Sequence, residues 1–515
     1  MLRLIPSYAW GGHVLSDSNN NSVDVLVVGA GNAAITAALA AHAEGAKVAV
    51  LEKSDKALRG GNTRFTGGIF RHTYNGPGDL LPIVMDNDNA DDVIVKPYTR
   101  DDYLGDMARV TGGRSDPELT DVLIDRSYDT VRWMADLGVP FEFSRVVGGV
   151  SGSEKVTLAP GGAIRSLHEG VGLSANLFRL LDEADIPVFY ETRAHRIVTD
   201  NSGKAAGVEV RGPEGGRTIN CRALVIGSGG FQASPEMRTS YMGPDWSLVK
   251  VRGTRFNTGD LTRAAIDIGA QSYGEWSGCH ATPIDSDSPT YGDLNLTDKT
   301  NRLSYLYGVM LNLEGERFVD EGEDLVLYTY AKMGREILKQ RNAVTFQVFD
   351  QKTVPLLEPR YSTGVPIEAD TIEELAEKVD EKFGRMGFGK AKFIQSLHDF
   401  NAAVQEGEFD PTLKDGKATK GLNPEKTNWA AKIDEPPYVV YGVSLGITFT
   451  FGGIRINTDA EVLDHLERPI PGLFATGEAT GGFFYINYPG GAGLMRGAVF
   501  GKIGGTNAAS AARDD

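Results

Sequence analysis

A chain of 515 residues is too long for one small core, and its length alone leads us to expect about three domains. Its 69 acidic and 52 basic side chains leave a net charge of -17, which excludes nucleic acid and anionic membranes as main partners but leaves room for an anionic substrate met by local basic residues. No apolar run reaches the roughly 18 residues of a membrane span, and the two cysteines, Cys221 and Cys279, show neither a CxxC pair nor metal-ligand spacing, so no metal site is expected. They read as buried thiols in a reducing, cytoplasmic compartment.

Residues 1–22 lack a signal peptide's apolar core and cleavage site and read as an irregular N-terminal arm. Val23–Val28 is a buried strand that runs into Gly29-x-Gly31-x-x-Ala34, a helical stretch over Ala33–Ala43, and a second strand, Ala46–Leu51, ending at Glu52. This order is that of a dinucleotide-binding unit. Gly29 permits the sharp turn, Gly31 admits a pyrophosphate close to the backbone, and Ala34 lets helix pack on strand. The helix N terminus offers unpaired N–H groups, and Glu52 can accept from ribose hydroxyls. Residues 55–76 are a polar, glycine-dense loop. Helices are expected at Asp101–Val110, Asp116–Leu137 and Ser174–Ala184, then strands at Pro187–Tyr190, Ala194–Thr199, Gly207–Arg211 and Thr218–Asn220. Ala223–Gly230 is a buried strand entering a second glycine turn. After Gly243 the chain becomes more mixed and charged, with helices near Leu325–Gln340 and Thr371–Gly387. Strand-and-glycine character returns from Tyr438 and ends in a helix over Gly493–Ala512. The expected layout is an arm (1–22), a first dinucleotide part (23–244), an inserted capping domain (245–435) and a second dinucleotide part (436–515).

Four separated segments point to one extended ligand. The first is the Gly29 turn with Asn32, Ala33, Glu52 and Lys53. The second is Gly60-Gly61-Asn62-Thr63, continuing to Thr66-Gly67-Gly68. The third is the turn at Gly229. The fourth joins Gly477-Glu478, at a strand end, to Gly493-Leu494, where a helix N terminus would stabilise negative charge on a reduced isoalloxazine. Together they indicate FAD.

These residues, with Gly477-Glu478-Ala479-Thr480-Gly481-Gly482, resemble the flavoprotein family of succinate dehydrogenase and fumarate reductase over nearly the whole chain. Arg317–Asp324, Tyr328–Lys332, Gly446–Gly453 and Asn487–Gly491 are similar to its tricarballylate dehydrogenase-like members. The resemblance implies an α/β, Rossmann-like (glutathione-reductase-like) FAD domain carrying an inserted α+β capping domain, with the active site between them. Where membrane-bound members carry a FAD-linking histidine, this chain reads Gly61-Asn62-Thr63, which implies noncovalent FAD. Where fumarate reductases carry a proton-donating arginine it reads Asp324–Tyr328, and their substrate-binding histidine and arginine are replaced by Phe449 and Tyr488. Plain fumarate reduction is therefore not expected. Tyr488-Pro489-Gly490-Gly491-Ala492 resembles a segment of 3-ketosteroid dehydrogenases in which a tyrosine and a glycine N–H polarise a ketone.

The resemblance makes Tyr488 the candidate oxyanion donor, with Gly491 and Ala492 against the substrate. The base is left between Tyr328 and Tyr330, against ordinary packed tyrosines. His280 matches a substrate-binding histidine, against a structural one. Arg71 and His72 follow the second segment and could meet a carboxylate, against a solvated surface pair. The expected activity is an FAD-dependent dehydrogenase (desaturase) that forms a C=C bond next to a carbonyl or carboxylate of a small carboxylic or cyclic keto acid. Its partners would be that substrate and an electron acceptor: oxygen, quinone or another redox protein. The alternatives are a fumarate reductase-like enoate or enone reductase, a 3-ketosteroid 1-dehydrogenase-like enzyme, and a flavin-binding electron-relay subunit.

Overall fold

The computed structural model describes residues 23–85, 90–145 and 155–513, so the expected N-terminal arm lies outside the described residues. The chain begins with strand β1 (Val23–Val28), helix α1 (Asn32–Ala43) and strand β2 (Val48–Leu51). Strand β3 (Gly215–Ile226) pairs in parallel with β1 through Val23–Val28 and Cys221–Ile226. It is one continuous strand where two were expected, because its first half forms a separate antiparallel meander with Ala205–Gly212. The insertion supplies β4 (Cys279–Asp285), α2 (Tyr330–Leu338), β5 (Thr345–Phe349) and β6 (Tyr438–Thr450). The chain closes with β7 (Pro469–Ala475) and the 22-residue helix α3 (Ala492–Arg513).

The main sheet runs in the order Glu461–Leu463, β7, β3, β1, β2, Val188–Phe189. Every pair except the first is parallel. β1 and β2 are buried on both faces, which is why they read as unbroken apolar runs. α1 and α3 pack on this sheet. Gly505 is essential to that contact, since a Cβ there would sit 2.1 Å from the Ala37 carbonyl oxygen. Gly29 takes φ +108°, and a Cβ on it would lie 2.4 Å from the Gly227 oxygen, so this turn admits only glycine. Ala34 packs against Gly227, the close helix–strand approach that its small side chain permits.

The second sheet has β6 at its centre, paired with Lys250–Val251, β4, β5 and Ile367–Ala369. β6 was expected in the returning dinucleotide part. Its alternating apolar side chains serve the second sheet instead, and its partners lie up to 196 residues earlier in sequence, from Lys250 to Gly446. Conversely, helix Asp260–Asp267, expected in the insertion, packs Leu261, Ala264 and Ala265 into the core of the main sheet. The two bodies therefore interleave: the chain touches the second sheet at Lys250–Val251, returns to the first core, and re-enters the second sheet at Cys279. Helix Lys390–Ala403, beside the expected Ile372–Phe383, completes the second core.

Candidate active site

One long cavity runs from the β1–α1 turn to the second sheet. At the turn its walls are Gly29, Gly31, Asn32, Ala33, Glu52, Lys53 and Gly229, each an expected cofactor residue. Asn32 ties the segments together. Its backbone N–H donates to Thr63 Oγ1 at 2.7 Å, and its side-chain amide donates to the Leu494 carbonyl at 2.9 Å. Gly31 at the N-cap has no side chain to cap α1, and Thr63 takes only the Asn32 N–H, so a pyrophosphate would meet the helix start beside that bond. Glu52 is buried and its carboxyl is pushed up by desolvation, although the Ser54 N–H at 2.8 Å favours the charged form. Two acceptor oxygens at the end of β2 suit ribose hydroxyls. Lys53 reaches Asp260 at 2.8 Å, pinning the returning helix over this end.

Further along stand Gly61, Asn62, Thr63, Thr66 and Gly67, then Gly477, Glu478, Gly493 and Leu494. Asn62 bridges the bodies: its amide donates to the Thr448 carbonyl at 2.6 Å, and its oxygen accepts from the Thr254 N–H at 3.0 Å. Glu478 accepts from Thr450 N–H at 2.9 Å and from Asn257 at 3.2 Å, and desolvation raises its carboxyl to about 7. Gly68 is a correction. Its φ of +78° turns the chain, and a Cβ there would strike Ser166 Oγ, so it serves packing and does not line the cavity.

The far end is aromatic. The hydroxyls of Tyr330, from α2, and Tyr488 share a short hydrogen bond. His280 on β4 stacks on Phe449 at 5.3 Å, with Tyr330 at 4.9 Å and Tyr488 at 5.2 Å. Both ring nitrogens of His280 are buried without a hydrogen-bond partner, and burial together with the Arg252 charge holds its pKa well below the usual value. It is a neutral imidazole facing the cavity. Tyr330 and Tyr488 are both pushed up by burial. The Tyr488 hydrogen bond and the Arg252 charge act in the opposite sense on Tyr330, while Tyr330 pushes Tyr488 further up. The two phenols are coupled through this bond and the Arg252 charge acts on both in the lowering sense, so they hold their protons as a pair.

Four expected substrate or catalytic residues lie outside the cavity walls. Arg71 is fully buried behind the Tyr488–Gly491 turn, where its Nε donates to the Gly490 carbonyl at 2.8 Å and its Nη1 to Tyr98 and Asp106. His72 is also fully buried, with Nδ1 3.0 Å from the Phe70 carbonyl and its pKa lowered by burial to about 4. Tyr328 donates to Asp106 at 2.8 Å and points away from Tyr488. Ala492 is buried at the start of α3 and does not line the cavity, whereas Gly491 does. Sequence reasoning missed Arg252, Asp298, Asn301, Glu358, Arg360 and Arg496, which all line it. They stand singly in charged or polar stretches with no spacing to mark them. The gap at Asp324–Tyr328 does not leave the cavity without guanidinium groups.

A family model described as an FAD binding domain matches residues 24–494. The chain belongs to that family. It is an FAD-dependent oxidoreductase, and FAD is its cofactor. The cradle fits FAD: a helix start with glycine at its N-cap, a carboxylate at the second strand end, and a cavity continuing to a second helix start at Gly493. A probable fumarate reductase of Shewanella frigidimarina is 28% identical over 508 residues, covering 96% of this chain and 76% of the relative. The 4-oxocyclohex-2-ene-1-carboxylate 5-dehydrogenase of Sinomonas cyclohexanicum is 25% identical over 583 residues, covering 96% and 95%. The open conformation of a flavocytochrome c3 fumarate reductase matches with a TM-score of 0.70 and 26% identity, covering 96% of this chain and 79% of that one. Among the described residues, no helix is long and apolar enough to cross a membrane and no cluster of side chains could hold a metal ion.

Proposed function

We propose that this flavoenzyme is a dehydrogenase that introduces a carbon–carbon double bond next to the carbonyl or carboxylate of a small carboxylic or cyclic keto acid. The observation that carries the reading is the Tyr330–Tyr488 hydroxyl pair at the aromatic end of the cavity. Bound FAD, held noncovalently by the Gly29–Asn32 turn, Glu52 and the Asn62–Thr66 segment, would supply the hydride acceptor. Tyr488, which lines the cavity beside Gly491, donates to the substrate oxygen and stabilises the charge that builds there. Tyr330 takes the proton from the carbon beside that carbonyl. The Arg252 charge and the Tyr488 hydrogen bond lower the cost of ionising it. The rings of His280, Phe449 and Phe484 exclude water and orient a flat or cyclic skeleton. The Sinomonas relative's name, which describes oxidation of a cyclic keto acid, agrees with this reading.

The same groups run in reverse as an enone or enoate reductase. That second reading is favoured by the burial that keeps both tyrosines protonated and ready to donate, and by the reductase names among the relatives. Purified enzyme with saturated acids and cyclic ketones plus an artificial electron acceptor tests the choice. Acceptor reduction with a product two hydrogens lighter supports the dehydrogenase. Oxidation of a reduced dye by the unsaturated acids alone transfers the assignment to the reductase.

A further inference from the structure

Three arginines line the cavity, Arg252 and Arg496 buried and Arg360 partly so, and their surroundings differ. Arg360 is neutralised on both sides, 2.7 Å from Asp298 and 2.9 Å from Glu358. Arg496 lies over the Phe484 and Phe483 rings at 4.9 and 5.4 Å and feels the Glu478 carboxyl. Arg252 meets only neutral acceptors, with its Nε donating to Thr448 Oγ1 at 3.0 Å and its Nη1 to the Phe65 carbonyl at 2.9 Å. Among the described residues no carboxylate lies within 4.0 Å of it, and its Nη2 has no hydrogen-bond partner, though the residue is only 8% exposed.

Neutral acceptors satisfy N–H groups without cancelling charge. A buried guanidinium left this way is costly unless a ligand brings the counter-charge. Its planar fork matches a carboxylate in particular. The groups around it favour the same ligand. His280 presents two unpartnered ring nitrogens and no charge of its own, and Asn301 has a buried side-chain oxygen without a partner. Arg252 lines the same cavity as Tyr330 and Tyr488, so one ligand there can face both the guanidinium and the hydroxyl pair. Glu358 and Asp298 pair with Arg360; the Asp298 charge also reaches Arg252 but is shared with that nearer guanidinium.

We propose that Arg252 receives the carboxylate of the substrate and makes the enzyme selective for anionic acids over neutral ketones. This deepens, and rests on, the reading of the hydroxyl pair as the reacting end of the cavity. It moves the carboxylate contact from Arg71 and His72, which are sealed behind the turn, to a cation that faces the cavity.

Equilibrium binding separates this inference from the reading beneath it, because it needs no turnover. Calorimetry on the FAD-loaded, oxidised enzyme would use 4-oxocyclohexane-1-carboxylate, cyclohexanecarboxylate and succinate as probes, with the methyl ester of each as a neutral control. We expect at least one acid to bind wild type, its ester to bind far more weakly, and Arg252→Gln to lose about 100-fold in affinity for the acid with little change for the ester. Arg252→Lys, which keeps the charge and loses the fork, should recover part of that affinity. Binding of none of the acids, equal binding of acid and ester, or unchanged affinity in a folded Arg252→Gln overturns the proposal. So does release of FAD from Arg252→Gln with acid affinity unchanged in the enzyme that retains it, since Arg252 would then serve the cofactor. Arg252-dependent binding of an acid that is never oxidised or formed would leave this inference standing and remove the reading of the reaction.

Discussion

At the residue scale the site depends on the Tyr330–Tyr488 hydroxyl pair. Tyr488→Phe removes the oxyanion donor, and we predict a fall in turnover of roughly 10²–10³-fold. Substrate affinity should change little, because the hydroxyl's contact strengthens only as charge develops. Unchanged turnover would take Tyr488 out of the mechanism. His72 makes a different prediction. Its folded pKa of about 4 lies below the ordinary 6.5, so between these values the unfolded chain binds a proton that the folded one refuses. Stability therefore rises with pH across that window and is lost on acidification, by up to about 3 kcal/mol from this group. His72→Asn, which keeps a donor toward the Phe70 carbonyl, should flatten the pH dependence of urea unfolding between pH 4 and 6.5. An unchanged slope would show that His72 is not held neutral. The contrast with Arg252 shows what a sequence can carry. Gly29, Asn62 and Glu478 announce themselves through motif, since backbone geometry and ligand together demand them. Arg252, between Val251 and Gly253, has no such mark, because the role proposed for it comes from being buried against neutral acceptors at the cavity wall, which only tertiary structure creates.

At the element scale the cofactor cradle depends on how closely α1 and α3 approach. Gly505→Ala would place a methyl 2.1 Å from the Ala37 oxygen, so the two helices must separate. We predict a loss of about 1–3 kcal/mol in chemical denaturation, with weaker retention of FAD because Asn32 and Leu494 would part. Gly105 serves as the control. It is exposed within helix Arg100–Thr111 with open space around its Cβ, so Gly105→Ala should gain about 0.5–1 kcal/mol. Equal effects of the two substitutions would contradict the packing account. The first strand–turn–helix was legible because its signals are local and contiguous. β6 was not placed correctly, since a strand's sheet is decided by its partners, and those of β6 come from Lys250 and Cys279 onward.

At the scale of the whole molecule, two interleaved bodies are held together by contacts that also border the cofactor cavity, among them Asn62 to Thr448 and Glu478 to Thr450. FAD filling this cavity should stabilise both together. At a free FAD concentration 100 times its dissociation constant the gain is about 2.7 kcal/mol, read as a higher unfolding midpoint than for FAD-depleted enzyme. An unchanged midpoint would mean that the cavity does not hold the cofactor in the folded state. The central claim is that hydrogen leaves a carbon–carbon bond at the Tyr330–Tyr488 pair. Its most direct test is an anaerobic single turnover of wild type and Tyr488→Phe with saturated acids and cyclic keto acids, following the flavin's visible absorbance and the mass of the product. The account predicts bleaching of the wild-type flavin, a product two hydrogens lighter, and bleaching slowed roughly 10²–10³-fold in Tyr488→Phe. A flavin that no saturated compound bleaches, or one that bleaches equally fast in both proteins, would contradict it.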